Sequence, residues 1–203
     1  MSLALFIYAY SQDKEDRNKG FQKDRLFTGG STTLSFFTGG SQFGIAPHFG
    51  YSLTTWADVA AVINLNYQTQ RDYNIGGDKV HQTIYGPGAF VRVFPLRFLF
   101  AQAQFEHNFI HLKYFPPASY SLPSQVYKDQ ANSLLVGAGY CGGRGEEGNT
   151  YYYFAVLWDV LALPNSPYVD SYGRTNPIIK AGFNIGLFGG GDDKYEHKRK
   201  KTH

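Results

Sequence analysis

Residues 176–188 read NPIIKAGFNIGLF. Ile179, Ala181, Phe183, Ile185 and Leu187 alternate with Lys180, Gly182, Asn184, Gly186 and Phe188. A period of two marks a β-strand whose two faces meet different surroundings. The stretch has about the ten residues that a tilted strand needs to cross a bilayer. It ends on an aromatic, and Gly189-Gly190-Gly191 then interrupt it.

Seven earlier segments repeat the pattern. The first covers Arg25 to Thr38, with Leu26, Thr28, Gly30, Thr32, Leu34 and Phe36 on one face. In the second, Gln42 to Leu53, Phe43, Ile45, Pro47, Phe49, Tyr51 and Leu53 alternate with Gly44, Ala46, His48, Gly50 and Ser52. Pro47 cannot donate to a ladder, so a bulge or irregularity is expected there. The third begins at Trp56 and sets Val59, Ala61, Ile63, Leu65 and Tyr67 against Asp58, Ala60, Asn64, Asn66 and Gln68. The fourth, Val80 to Phe94, has Tyr85, Ala89, Val91 and Val93 against Gly86, Gly88 and Arg92. In the fifth, Leu99, Ala101, Ala103 and Phe105 alternate with Gln102, Gln104, Glu106 and Asn108. The sixth, Asn132 to Gly142, sets Leu134, Val136, Ala138 and Tyr140 against Gly137, Gly139 and Cys141. The seventh, Thr150 to Leu161, sets Tyr152, Phe154, Val156 and Trp158 against Tyr153, Ala155 and Asp159.

Composition agrees with this pattern. The 203 residues contain 23 Gly, 16 Tyr and 17 Phe, and only 17% are charged, against roughly 25% for an average soluble domain. No apolar run reaches the roughly 20 residues of a membrane-spanning helix. A membrane protein of this sequence must then be a closed barrel, the other structure that pairs every backbone group in lipid. The fold expected is all-β: an antiparallel up-and-down transmembrane β-barrel of about eight strands, residues 25–188. The connections alternate in length. Thr54-Thr55, Pro95-Leu96-Arg97 and Arg144 to Asn149 are short. Of the others, Gly39 to Ser41, Gln70 to Lys79, Leu112 to Ala131 and Leu163 to Thr175, three are longer, as in barrels with short periplasmic turns and long outer loops.

The ends read differently. Residues 1–11 resemble a secretory signal peptide with a short apolar core and no basic residues before it; Ala9-Tyr10-Ser11 supplies the small-x-small site ahead of Gln12. Residues 12–24 form a polar leader, and 189–203 a charged periplasmic tail with His197-Lys198-Arg199-Lys200-Lys201. A net charge of +3 is too small to argue for nucleic acid.

The inward parity carries His48, Asp58, Arg92, Glu106, Asp159 and Lys180. An unpaired charge is costly to bury, so these should pair or meet water in a filled polar lumen without an open pore. Arg92 and Glu106 lie on neighbouring strands and could pair directly. Trp56 and Trp158 fall near strand ends, where interfacial anchors belong.

Reaction chemistry is not evident. One cysteine, Cys141, allows neither an intrachain disulfide nor a cysteine metal site. His48, His81, His107 and His111 have no Ser two positions away, Asp159 and Ser166 have no His nearby in sequence, and no metal, cofactor or phosphate-loop spacing occurs. Two other readings compete. A soluble lipocalin-like barrel binding an apolar ligand would need apolar residues inside. A lipid-A-modifying barrel enzyme would need a His, a Ser and a carboxylate together.

Three segments resemble a known group. Phe43-Gly44-Ile45-Ala46-Pro47-His48-Phe49-Gly50-Tyr51-Ser52-Leu53 followed by Val59 to Tyr67 resembles a "P-x-x-G-Y" strand, turn and "l-x-l-x-y" strand. Gly88-Ala89-Phe90-Val91-Arg92-Val93-Phe94 resembles "p-F-x-R-Y-F", and Ala181-Gly182-Phe183-Asn184-Ile185 a closing "a-G-x-n-i" strand. These are motifs of small bacterial outer-membrane β-barrel-domain proteins, OmpA/OmpX-like and of the porin-like superfamily. The resemblance spans roughly Phe27 to Phe188. It implies a bacterial outer-membrane location, outer-membrane lipid and other outer-membrane proteins as partners, and no catalytic residues or cofactors. The role expected is structural, surface-interacting, or that of an accessory subunit in an outer-membrane complex.

Overall fold

The computed structural model describes residues 21–37, 39–72, 75–117, 119, 122–145, 150–170 and 173–188. The expected signal peptide, the leader up to residue 20 and the charged tail lie outside them. Eight strands follow in order: β1 Leu26–Phe37, β2 Gly40–Thr54, β3 Ala57–Arg71, β4 Lys79–Leu96, β5 Leu99–Phe115, β6 Gln125–Gly142, β7 Tyr151–Asp159 and β8 Ile178–Gly186. Each pairs antiparallel with its neighbour in sequence, and β1 pairs with β8 from Phe27↔Gly186 to Leu34↔Ile179, closing the barrel. Closure leaves no sheet edge within the paired region, which is the condition for placing strands in hydrocarbon.

Side chains sort by parity through the body of every strand. Phe43, Ile45, Phe49, Ile63, Leu65, Val91, Phe105, Val136, Phe154, Phe183 and Ile185 are exposed on the outside. Gln42, Asn64, Asn66, Gln68, Gln102, Gln104, Asn108 and Asn184 are buried inside. This is the reverse of a water-soluble barrel and of a lipocalin-like cup.

Lumen-facing glycines make room for rings. A Cβ on Gly139 would lie 2.4 Å from the Phe100 ring, and one on Gly182 would lie 2.7 Å from the Tyr153 ring. Small residues facing large ones are how a narrow barrel fills its interior.

The strands differ from the sequence expectation in four places. Trp56 belongs to the two-residue turn before β3 rather than to the strand. Pro47 makes no bulge: its pairing with Gly30 of β1 is continuous, and toward β3 only the pairs at Ala46 and Pro47 are missing, with the same register on both sides. The β2–β3 irregularity lies instead at Ser52/Thr54, beside that turn. The supposed long loop from Leu112 to Ala131 is mostly strand. β5 runs to Phe115 and β6 starts at Gln125, so the connection shrinks to 116–124 and the hairpin extends past the end of β7, with β4 alongside β5 as far as Lys79↔Phe115. β7 and β8 are short, and the longest connection, 160–177, joins them. The β6–β7 connection, 143–150, is no shorter than 72–78, so the contrast between the ends rests on the two-residue turns 55–56 and 97–98.

Replacing Ile63, mid-strand and 57% exposed, with Arg should lower folding stability in phospholipid vesicles by roughly 2–4 kcal/mol. Val126→Arg on the projecting hairpin should change it by less than about 0.5 kcal/mol. Urea titrations of the two variants check this.

Candidate functional site: the polar lumen

All six charged or titratable residues expected inside are buried: His48, Asp58, Arg92, Glu106, Asp159 and Lys180. They do not form one cluster. Cross-strand register sets Arg92 opposite Gln102, and Glu106 opposite Gly88. The direct Arg92–Glu106 ion pair is therefore absent, because the two residues sit four positions apart along the ladder. Two glutamines span the gap on alternate residues of β5. Arg92 Nε donates to Gln102 Oε1 (2.7 Å), Gln102 Nε2 to Gln104 Oε1 (2.8 Å), and Gln104 Nε2 to Glu106 Oε1 (2.7 Å). The amides point one way, their dipoles aligned from the cation toward the anion, so each bond polarises the next.

Glu106 lies at one end of this chain. Lys180 Nζ also reaches Oε1 (3.3 Å), while Tyr168 OH (2.7 Å) and Asn108 Nδ2 (3.2 Å) donate to Oε2. Two oxygens thus collect four donors, the satisfaction that a wholly buried carboxylate needs. Tyr168 arrives from the 160–177 connection and is itself buried. Burial, then the adjacent Glu106 carboxylate, pushes its phenol well above the usual range, so it stays a donor. Ser166, two residues earlier, donates to Asp159 Oδ2 (2.5 Å), and the Leu134 and Leu161 backbone N–H groups donate to Asp159 Oδ1. The connection is fastened over that end of the lumen by two buried carboxylates.

Asp58 anchors the other end. Ser52 OH donates to Oδ1 (2.6 Å); Arg144 Nη1 (2.8 Å) and Tyr151 OH (3.1 Å) reach Oδ2. Tyr151 OH accepts from Arg92 Nη1 (3.3 Å) and Asn184 Nδ2 (2.9 Å) while donating to Asp58, so one hydroxyl joins a cation, an amide and an anion. Asn184 Oδ1 in turn accepts a hydrogen bond from His48 Nε2 (2.9 Å). The Arg92 guanidinium also packs on aromatic faces, 3.8 Å from the Tyr153 centroid and 4.5 Å from that of Phe90. Arg144 covers Phe94 at 3.5 Å. Guanidinium over an aromatic face is favourable, more so when water is excluded.

Sequence reasoning missed Tyr151, Arg144 and Tyr168. Tyr151 shares the inward parity of Tyr153 and was legible. Arg144 and Tyr168 come from connections, where no periodicity marks direction. No histidine is among the hydrogen-bond partners of the Ser166 hydroxyl, which are Asp159, Ser133 and the Tyr168 N–H. The described residues contain no cluster of three or more metal-ligating side chains.

On the outside, Trp56 and Trp158 are both about half exposed. Trp56 stands at the turn between β2 and β3, and Trp158 at the opposite end of the barrel, one residue before β7 stops. Apolar residues on β4 run from Val93 to Tyr85, roughly 20 Å of height for a tilted strand. Beyond Tyr85 the outward positions on β4–β6 turn polar: His81, His111, Lys113, Lys128 and Gln130.

The protein is thus an eight-stranded up-and-down barrel with its apolar side outermost. No protein-family profile matches the chain, and no curated protein matches it in sequence. Several solved structures are similar to it. Ail, the attachment invasion locus protein of Yersinia pestis, solved in complex with the heparin analogue sucrose octasulfate, is 7% identical with a TM-score of 0.44, over 79% of this chain and 94% of that one. The N-terminal β-barrel domain of Pseudomonas aeruginosa OprF is 13% identical with a TM-score of 0.43, over 80% and 97%. Neisserial surface protein A is 11% identical with a TM-score of 0.41, over 80% and 96%.

Glu106→Gln should destabilise the barrel by about 3–5 kcal/mol by leaving Lys180 buried and unpaired. Adding Lys180→Met should restore most of that loss. Denaturant titration of the single and double variants measures it.

Proposed function

We propose that this chain is a non-enzymatic bacterial outer-membrane β-barrel, closed to diffusion by its own side chains, that presents a projecting hairpin for surface contacts. The observation that carries the membrane placement is the reversed sorting of side chains. A continuous wall of exposed Phe, Ile, Leu and Val around a polar lumen is stable in hydrocarbon and costly in water. Trp56 and Trp158 act as interfacial anchors at its two rims.

The lumen serves stability rather than transport. Arg92 with Phe90, Phe100 and Tyr153 fills its cross-section on the Asp58 side. Gln42, Asn64, Asn66, Gln68 and Asn108 face the other half, each with one buried atom lacking a partner among the described residues. Such groups are normally met by water, which supports a hydrated but blind vestibule.

The surface role rests on β6. Its ladder with β5 spans Gln125 to Tyr140, whereas that with β7 covers only Leu135 to Gly142. Near the hairpin tip, Gln125 to Gln130 are exposed and have no neighbouring strand on the second side. A strand edge of this kind accepts an added strand from another protein, whether that partner is external or another outer-membrane component.

Tyr127→Cys should react with a membrane-impermeant maleimide on intact cells, whereas the unsubstituted chain, whose Cys141 is buried, should not. Failure of Tyr127→Cys to label in intact cells, with labelling after lysis, would place the hairpin on the wrong side and overturn the surface role.

A further inference from the structure

We infer that the outer wall holds one phospholipid in a fixed seat near the start of β1. This rests on the membrane reading above and adds to it a specific site. A shallow, open apolar groove of about 670 Å³ crosses β2 to β5 on the outward face. Its floor is set by register. Ala61 lies opposite Ala89, and Val91 opposite Ala103, so small side chains adjoin across three strands. Phe49 and Tyr51 raise one side and Phe105 the other, all directed outward.

The occupant is argued from the groove's mouth. Phe21, outside the barrel strands, stacks on Tyr51 at 5.6 Å between centroids and extends that side wall. Phe21 and Leu26 both line the groove, and the four residues between them join the two. That segment is held in place: the Gln22 N–H donates to Tyr51 OH (3.3 Å), and Arg25 Nη1 to the Leu53 carbonyl (2.9 Å). It carries Lys23, Asp24 and Arg25, an excess of one positive charge. An apolar trough in the lipid-facing belt with a net cationic mouth at the membrane boundary complements an acyl chain beneath a phosphate headgroup. A protein partner fits less well. A standard interface needs about 800 Å² from each side, and this groove is a trough a few side chains wide with raised aromatic walls.

The refolded full chain, in detergent with dimyristoylphosphatidylglycerol, should retain one lipid by native mass spectrometry. Ala89→Phe, which fills the trough, should weaken retention by at least about fivefold, equivalent to roughly 1 kcal/mol. Ala138→Phe, also outward but off the groove, should leave it unchanged. Lys23→Ala with Arg25→Ala should weaken retention of phosphatidylglycerol but not of dimyristoylglycerol, which lacks the phosphate. Retention of no lipid, or equal retention by Ala89→Phe, would overturn the seat. Equal retention of both lipids by the unsubstituted chain would overturn the headgroup contact, and a species of twice the chain mass lost in Ala89→Phe would assign the groove to a second copy. Unheated gel migration separates failures. A barrel that still shifts on boiling but keeps no lipid overturns this site alone, and one that does not shift overturns the membrane reading beneath it.

Discussion

The pairing of β1 with β8 is what permits every other feature of this wall. An exterior built of Phe, Ile, Leu and Val has no water to satisfy a stray N–H or C=O, so the backbone must be paired around the whole circumference. Once the ring is closed, polarity has only one place to go. Amides and charges collect on the axis, and the interior must then solve a problem that a soluble core avoids: burying three cations and three carboxylates with none left unsatisfied.

The solution is distributed rather than pairwise. Glu106 and Asp58 each gather donors from several strands and from a connection between strands. Tyr151 OH and the Gln102–Gln104 chain carry the linkage between them. Such a network ties together strands distant in sequence: Lys180 on β8 with Glu106 on β5, and Arg144 beyond β6 with Asp58 on β3. It also draws the 160–177 connection down over one end through Tyr168 and Ser166. Rigidity of the wall and filling of the lumen by side chains thus have the same cause.

The sequence made the sorting legible because it is written in a period of two wherever a strand separates lipid from lumen. Ile63 beside Asn64, and Phe183 beside Asn184, are enough to assign faces. It failed where that contrast ends. Past Ile110 and Ala131, which are still buried inside, both faces of β5 and β6 are at least partly exposed, so Lys113-Tyr114-Phe115 and Val126 to Gln130 lose their alternation and read as loop, although they continue the ladder. Parity placed Arg92 and Glu106 inside but says nothing of register, and register is what separates them. Arg144 and Tyr168 reach the lumen from connections, whose direction no periodicity encodes. Pro47 looked disruptive because its missing N–H was weighed without its partners; β1 pairs it in register and only the β3 side loses a contact.

The central claim is tested most directly by spin labels placed one at a time along residues 59–68 of the chain in phospholipid vesicles, reading collision with oxygen and with a water-soluble nickel chelate. Oxygen accessibility should peak at positions 59, 61, 63, 65 and 67 and fall between them, with the nickel reagent excluded at those peaks. Nickel accessibility at Ile63 and Leu65 equal to that of a free label, or an alternation of opposite phase, would contradict a lipid-facing wall around a polar axis.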